Sequence, residues 1–582
     1  MKELNGVPVS QGILIGKAVV IKRQELDCPR HFIHAKSTGR EIKRLEKAIS
    51  KSKNQLTRHI RGLRHDEYGF FEVLNAHLLM MDDVEFLDRI KAIISERLQN
   101  AEWALQQVSR ELVLAMGEAT DPYLRARAED IQHVSNRVMA NLCGIKADPD
   151  AGKLRGAVVV AHAISPGNLA RMVKQGLAGM VVDVGGETSH AAIIARALGI
   201  PAVVGMGNAS TSVKDGDKVI LDGLRGKLVM DPTEQQIEEY KEVRQRFMAF
   251  EDELLSDVEL PAETKDGFIT RLSGNLETED ELDELLSHGA EGLALVRTEF
   301  LYLGSASEPD EETQYQAYSR IIKRIGKRVV TFRTLDLGGE KFPSYLPQLE
   351  EENPALGLRA IRYCMTHPKL FTTQLRALLR ASIHGNIRIM FPLITGVSEL
   401  RAVKEFYRKV QEELRAERIP FKDDIPIGAM IELPSAAIVA DLLAQEVDFF
   451  SIGTNDLIQY TMAIDRLSEH LRKQYHPMHI AILRLLRMIT TAAQNNGVDV
   501  SLCGEMAGNP MYAPLLVAMG ISELGMSAVA IPHVKRLIRS IRLSESRELL
   551  GRVMECDGFE AIEELINQEI GERFPELCYK RF

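Results

Sequence analysis

Ile427-Gly428-Ala429-Met430-Ile431-Glu432-Leu433-Pro434 is an apolar run of strand length that ends on a carboxylate, and Val447-Asp448-Phe449-Phe450-Ser451-Ile452-Gly453-Thr454-Asn455-Asp456 repeats the device. Each reads as a strand with polar chemistry at its C-terminal end. Outward from this pair, six further strands alternate with helical patterns: 271–276, Gly292–Arg297, Val329–Thr334, Ile387–Pro392, Val498–Cys503 and Glu523–Ser527. Eight β units in about 320 residues predict a (β/α)8 barrel of the TIM type over 261–582, a fold whose active sites lie at the strand C-termini.

The preceding part of the chain changes character twice. Gly12–Ile21 reads as a strand, and strand signals return at 157–161, Gly179–Asp183 and Ala202–Gly205 with short helical stretches between them. That pattern predicts an α/β domain made of 1–34 and 144–232. Between its two pieces, 35–143 has helical periodicity, as in Ile42, Leu45, Ile49 and then Leu56, Ile60, Leu63. Some four helices are expected there, with the clearest break at Asp121-Pro122. The charged stretch from Thr233 to about Asp257 reads as a helix. It serves equally as a linker (233–260) or as a solvated surface helix. The fold class is therefore multidomain α/β, with an inserted helical bundle, followed by a barrel.

Bulk properties narrow the function. Of 582 residues, 45% are hydrophobic and 26% charged, and the formal net charge is −10. No dense basic stripe offsets that charge, so nucleic acid is not the expected partner. Cys28, Cys143, Cys364, Cys503, Cys556 and Cys578 include no C-x-x-C pair, which speaks against a zinc site and for reduced thiols. The N-terminus lacks a signal-peptide core, and no apolar run reaches the roughly 18–20 residues of a spanning helix. A cytoplasmic protein without membrane insertion is expected.

The sharpest local motif is Gly185-Gly186-Glu187-Thr188-Ser189-His190-Ala191-Ala192, between a strand and a helical run. The glycines permit an unusual turn, and Thr188 and Ser189 suit the helix N-terminus. His190 then stands where backbone N–H groups favour a phosphate, and a neutral imidazole is a competent phosphoryl acceptor. Taken alone, such a histidine more often merely caps or packs. The barrel's strand ends shift that balance. They carry Arg297-Thr298-Glu299, Arg333-Thr334-Leu335-Asp336, Glu432, Asn455-Asp456, Asp465-Arg466 and Cys503-Gly504-Glu505. Several arginines suit a ligand with phosphate and carboxylate groups, and Glu432 and Asp456 can offer two carboxylates to Mg²⁺. Cys503 has the alternative reading of a small buried apolar residue.

These motifs, together with Arg297–Leu301, Arg333–Gly339, Glu352-Asn353-Pro354, Leu356-Gly357, Gln374–Ser382, Ser451–Tyr460 and Leu502–Gly508, make the whole chain resemble Enzyme I of the phosphoenolpyruvate-dependent sugar phosphotransferase system. The resemblance implies a swivelling phosphohistidine domain and a barrel that binds phosphoenolpyruvate with Mg²⁺ on Glu432 and Asp456. Arg297, Arg333 and Arg466 would grip phosphate and carboxylate, with Asn455 and Arg359 as further contacts. Cys503 would protonate the enolate carbon, releasing pyruvate. His190, supported by Thr188, would take the phosphoryl group and pass it to a histidine of the small carrier HPr. The helical insertion is similar to the family's HPr-binding subdomain, which makes His77, Glu67, Glu72, Asp82, Asp83 and Glu85 expected docking positions. A homodimer through the barrel and hinges near 22–35, 145–155 and 233–260 are implied as well.

The chain departs from the family pattern at Glu187, Ala294, Val296 and Leu433, none of which removes a reacting group. Two alternatives stand beside this reading. A nitrogen-branch Enzyme I would act on a paralogous HPr, although its usual sensory domain is not expected ahead of a strand that begins so near Met1. A non-catalytic phosphoenolpyruvate sensor would keep the barrel and dispense with the phosphohistidine. A pyruvate phosphate dikinase or phosphoenolpyruvate synthase would need a nucleotide-binding domain, for which no glycine-rich loop is found.

Overall fold

The computed structural model describes residues 2–21, 30–62, 83–117, 122–143, 151–164, 166–186, 199–303, 307–338, 353–465 and 474–577, together with Leu78, Met80, Met81, Ala192, Ala195, Arg196, Ser305, Tyr345, Leu346 and Leu471. The chain forms two compact units, Met1–Met248 and Ala249–Phe582.

The first unit is built on an eight-stranded sheet. Its strands are β1 (Lys2–Asn5), β2 (Val7–Ser10), β3 (Ile13–Ile21), β4 (Val158–Ala161), β5 (Gly179–Val182), β6 (Ala202–Val204), β7 (Lys218–Asp222) and β8 (Lys227–Met230). They are ordered β1-β8-β7-β3-β4-β5-β6-β2. The centre, β3 to β6, is parallel, and β4 to β6 are buried on both faces, which is why Val158-Val159-Val160 and Met180-Val181-Val182 read as unbroken apolar runs. Sequence reading finds these four strands and misses β1, β2, β7 and β8. The missed strands are four or five residues long and pair antiparallel, their partners often being distant in the chain.

Helices Thr38–Gly62, Val84–Glu96, Ala101–Gly117 and Pro122–Cys143 lie between β3 and β4 in the chain. They share a core of their own, including Leu45, Leu56, Ile90, Ile94, Leu105, Val108 and Val138. The last helix begins at Pro122, where a missing N–H costs nothing. Helix Glu234–Ser256 follows β8, and its Ile237, Tyr240 and Val243 pack onto the sheet beside Ile13 and Ile220. Its last eight residues belong to the second unit, where Glu251 meets His533 at 3.1 Å and Glu253 meets Arg536 at 2.9 Å.

The second unit is a closed, all-parallel barrel. Its strands are β9 (Arg271–Leu276), β10 (Leu293–Arg297), β11 (Val329–Arg333), β12 (Asn386–Phe391), β13 (Ile427–Ile431), β14 (Phe449–Ile452), β15 (Asp499–Leu502) and β16 (Glu523–Met526). All eight match strands expected from the sequence, and β16 closes on β9 with Glu523 opposite Arg271. Leu295, Met390, Met430, Phe449 and Cys503 cluster as one buried group. Gly428 makes room for Phe449, because a Cβ there would run into its ring. No helix among the described residues is long and apolar enough to cross a membrane.

Candidate active site at the barrel mouth

Apart from Arg359, which lies in the connection after β11, the predicted site residues among those described stand at the ends of different strands or up to four positions past them. Arg297 and Arg333 are the last residues of β10 and β11, Glu432 follows β13, and Cys503 follows β15. Asn455 and Asp456 lie in the first turn of helix Thr454–Met462 after β14, and Arg359 caps helix Ala360–Thr366. Short parallel strands end abruptly here, so side chains from distant parts of the sequence converge on one mouth.

Two buried guanidiniums organise it. Arg333 pairs with Asp336 at 2.9 Å and with Glu299 at 3.3 Å. Arg359 donates through Nη2 to Asp336 (2.9 Å) and Asp456 (3.1 Å), and through Nη1 to the Tyr460 hydroxyl (3.0 Å). Burial alone would lower the arginine pKa values, but the surrounding carboxylates raise them, so both stay cationic. Burial pushes Asp336 up, and the opposing pull of Arg333 and Arg359 brings it down to about 2. Among the described residues, Nε of Arg333 and Nε of Arg359 are buried with no hydrogen-bond partner. Such idle donors are expensive to keep unless a ligand uses them.

The carboxylates outnumber these cations: Glu299, Asp336, Glu432 and Asp456 face Arg333 and Arg359. Glu432 is 2% exposed and accepts the Leu393 N–H through Oε1 at 2.6 Å. A Cβ on Gly453 would stand 2.8 Å from its Oε2, so glycine is what lets that carboxyl lie against the β14 terminus. Burial, then the neighbouring Asp456 and Asp336, push Glu432 up to about 8. This excess of buried negative charge, offered by oxygen atoms alone, fits a hard divalent cation held by Glu432 and Asp456. Among the described residues, no group of three or more His, Cys, Asp or Glu side chains forms a metal cluster.

Cys503 is 6% exposed, and its sulfur accepts the Ser451 hydroxyl at 3.3 Å. Burial raises its pKa, so it remains a thiol at neutral pH. Asn275 bonds the Cys503 carbonyl at 2.9 Å, and Asn455 bonds Glu505 at 3.3 Å. Arg297 lies further out, paired with Glu277 at 2.5 Å. Backbone strain gathers at the same place. Leu393, Ala360 and Ala463 all have positive φ (57°, 51° and 54°), the first next to Glu432 and the second next to Arg359.

Cys503, Arg297, Arg333, Arg359, Asn455, Glu432 and Asp456 thus stand at one end of one barrel. Arg466, Thr188 and His190 lie outside the described residues, as do Glu187, His77, Glu67, Glu72 and Asp82. Asp83 caps helix Val84–Glu96 by accepting the Phe86 N–H at 2.8 Å, and Glu85 lies in that helix. Ahead of the histidine motif, buried Asp183 accepts the Ser210 N–H at 3.1 Å and lies 3.4 Å from His162. Gly185 has φ 109°, which requires glycine. Sequence reasoning missed Asp336, Glu299 and Tyr460 as site residues. The available signal was an acid two or three positions past an arginine, in Arg297-Thr298-Glu299 and Arg333-Thr334-Leu335-Asp336. Ala294, Val296 and Leu433 are buried and apolar, adding no polar group to the mouth.

Three family models match the chain. The PEP-binding domain of PEP-utilising enzymes covers residues 251–543, their N-terminal domain 5–127 and their mobile domain 153–226. The chain belongs to the PEP-utilising enzymes. Members named phosphoenolpyruvate-protein phosphotransferase align along nearly the whole of it. The one from Staphylococcus carnosus is 39% identical over 97% of this chain and 99% of its own length. That from Geobacillus stearothermophilus is 40% identical over 95% and 96%, and that from Listeria innocua 39% over 98% and 100%.

Proposed function

We propose that this chain is a phosphoenolpyruvate-protein phosphotransferase of the Enzyme I type, which phosphorylates itself on His190 and hands the phosphoryl group to a histidine of an HPr-like carrier. The observation that carries the barrel's part is the pair of buried arginines with idle Nε donors, set between two candidate metal carboxylates and a protonated thiol. Arg333 and Arg359 bind and align the phosphate, with Arg297, Arg466 and Asn455 completing the grip on phosphate and carboxylate. Glu432 and Asp456 hold Mg²⁺, which when bound neutralises phosphoryl charge. A ring nitrogen of His190 forms its bond to phosphorus as the bond from phosphorus to the enol oxygen breaks. Cys503 then gives its proton to the enolate methylene carbon, and pyruvate leaves.

In this reading 1–34 and 144–232 form the phosphohistidine domain, with Thr188 supporting His190. The helical segment 35–143 docks the carrier, 233–260 links the domains, and the 261–582 barrel forms a homodimer in the cytoplasm. Incubation with phosphate-labelled phosphoenolpyruvate and Mg²⁺ tests the reaction. Acid-labile, base-stable label on wild type, absent from His190→Ala, supports it; phosphoenolpyruvate binding without label supports a sensor instead.

A further inference from the structure

Arg359 does two incompatible jobs with one nitrogen. Nη2 carries two hydrogens; the contacts to Asp336 (2.9 and 3.2 Å) and to Asp456 (3.1 Å) use both. Nη1 is committed to the Tyr460 hydroxyl at 3.0 Å, which in turn donates to the Ala355 carbonyl. Only Nε is idle. The arm that reaches Asp456 therefore cannot also bind a phosphate, and Asp456 Oδ2 cannot present its full charge to a cation while a guanidinium rests on it.

We infer that Arg359 is an interlock between metal and phosphate: it covers Asp456 in the metal-free protein and leaves that carboxylate when a divalent cation binds, turning to the phosphate instead. This rests on the reading of Glu432 and Asp456 as metal ligands. The local backbone suits a group with two positions. Arg359 is followed by Ala360 in the left-handed region (φ 51°) and lies two residues after Gly357. Asp336 is the fixed point of the movement, since it also holds Arg333 at 2.9 Å and keeps a partner for Arg359 in either position. The consequence is ordered loading. Metal and phosphoenolpyruvate bind cooperatively because each favours the same displaced Arg359, and the cation alone binds against competition from the arginine.

The test is Mn²⁺ binding followed by electron paramagnetic resonance on the full-length protein, with and without phosphoenolpyruvate. Wild type, Arg359→Met and Arg359→Lys are compared, each first checked by thermal melting. Arg359→Lys keeps a cation beside Asp336 but loses the fork, which guards against a variant that fails to fold. The expected result is weak Mn²⁺ binding by wild type alone and about tenfold tighter binding when phosphoenolpyruvate is present. Either variant binds Mn²⁺ alone about tenfold more tightly than wild type and loses most of the gain from phosphoenolpyruvate. Unchanged or weaker binding of Mn²⁺ alone by both folded variants overturns the interlock and leaves the metal assignment standing. Failure of wild type to bind Mn²⁺ even with phosphoenolpyruvate overturns the metal assignment, and the interlock with it.

Discussion

Replacing Cys503 by serine isolates the proton-transfer step. The thiol lies at the end of β15 within a buried group of Leu295, Met390, Met430 and Phe449, accepts the Ser451 hydroxyl at 3.3 Å and points toward the Ile452 carbonyl at 3.6 Å. Serine keeps that connectivity and loses only the bulk of sulfur, so the folding cost is about 1 kcal/mol and the melting temperature falls by about 2 °C. The chemical cost is larger. Burial keeps the thiol protonated near neutrality, yet it is far more acidic than a hydroxyl that would have to release the same proton. A positioned general acid contributes roughly 10²–10⁴ in rate, which corresponds to about 3–5 kcal/mol of barrier. Pyruvate release is followed by a coupled assay with HPr-like carrier in excess, and phosphoenolpyruvate affinity by calorimetry. The expected outcome is affinity within about twofold of wild type and turnover reduced at least about a hundredfold. Turnover within about threefold, with the fold intact, refutes the assignment of Cys503 as proton donor.

Further perturbations follow from the same geometry. Glu432 has its pKa raised from 4.5 to about 8, so its contribution to metal-free stability is present at low pH and is lost as pH rises through about 8. Metal binding needs the ionised form. Apparent Mg²⁺ affinity should therefore climb with pH up to about 8 and then level, while Glu432→Gln removes both the slope and the binding in calorimetric titrations. Asp336 has the opposite sign. Its carboxylate stabilises the fold above its ordinary pKa of 3.8, and that stability is lost as pH falls toward about 2. Asp336→Asn leaves two buried guanidiniums short of a partner, costs about 3 kcal/mol in denaturant unfolding and flattens this acid limb. Gly453→Ala places a methyl 2.8 Å from Glu432 Oε2, so Mg²⁺ affinity should drop severalfold with little change in helix content by circular dichroism.

The barrel was legible because each strand is a short apolar run that stops at a polar residue. Arg297, Arg333, Glu432 and Cys503 fall within one residue of an observed strand end. The charged helix expected from Thr233 to about Asp257 is found at Glu234–Ser256. What composes the site electrostatically was hidden. Asp336 reaches Arg359 across 23 residues and Tyr460 reaches it across 101, and no local pattern encodes such pairings. The short edge strands β1 and β2 were lost for a related reason. Their pairing with β8 and β6 is supplied by residues some two hundred positions away, so propensity over four residues carries little signal.

The central claim is that one histidine carries the phosphoryl group from phosphoenolpyruvate. Intact-mass measurement of the full chain after mixing with phosphoenolpyruvate and Mg²⁺, beside His190→Ala, tests it most directly. The account predicts a single added phosphoryl group on wild type, lost in acid and kept in base, passed on when an HPr-like carrier is added, and absent from the variant. Wild type that stays unmodified while binding phosphoenolpyruvate, or a variant that is phosphorylated as readily as wild type, contradicts it.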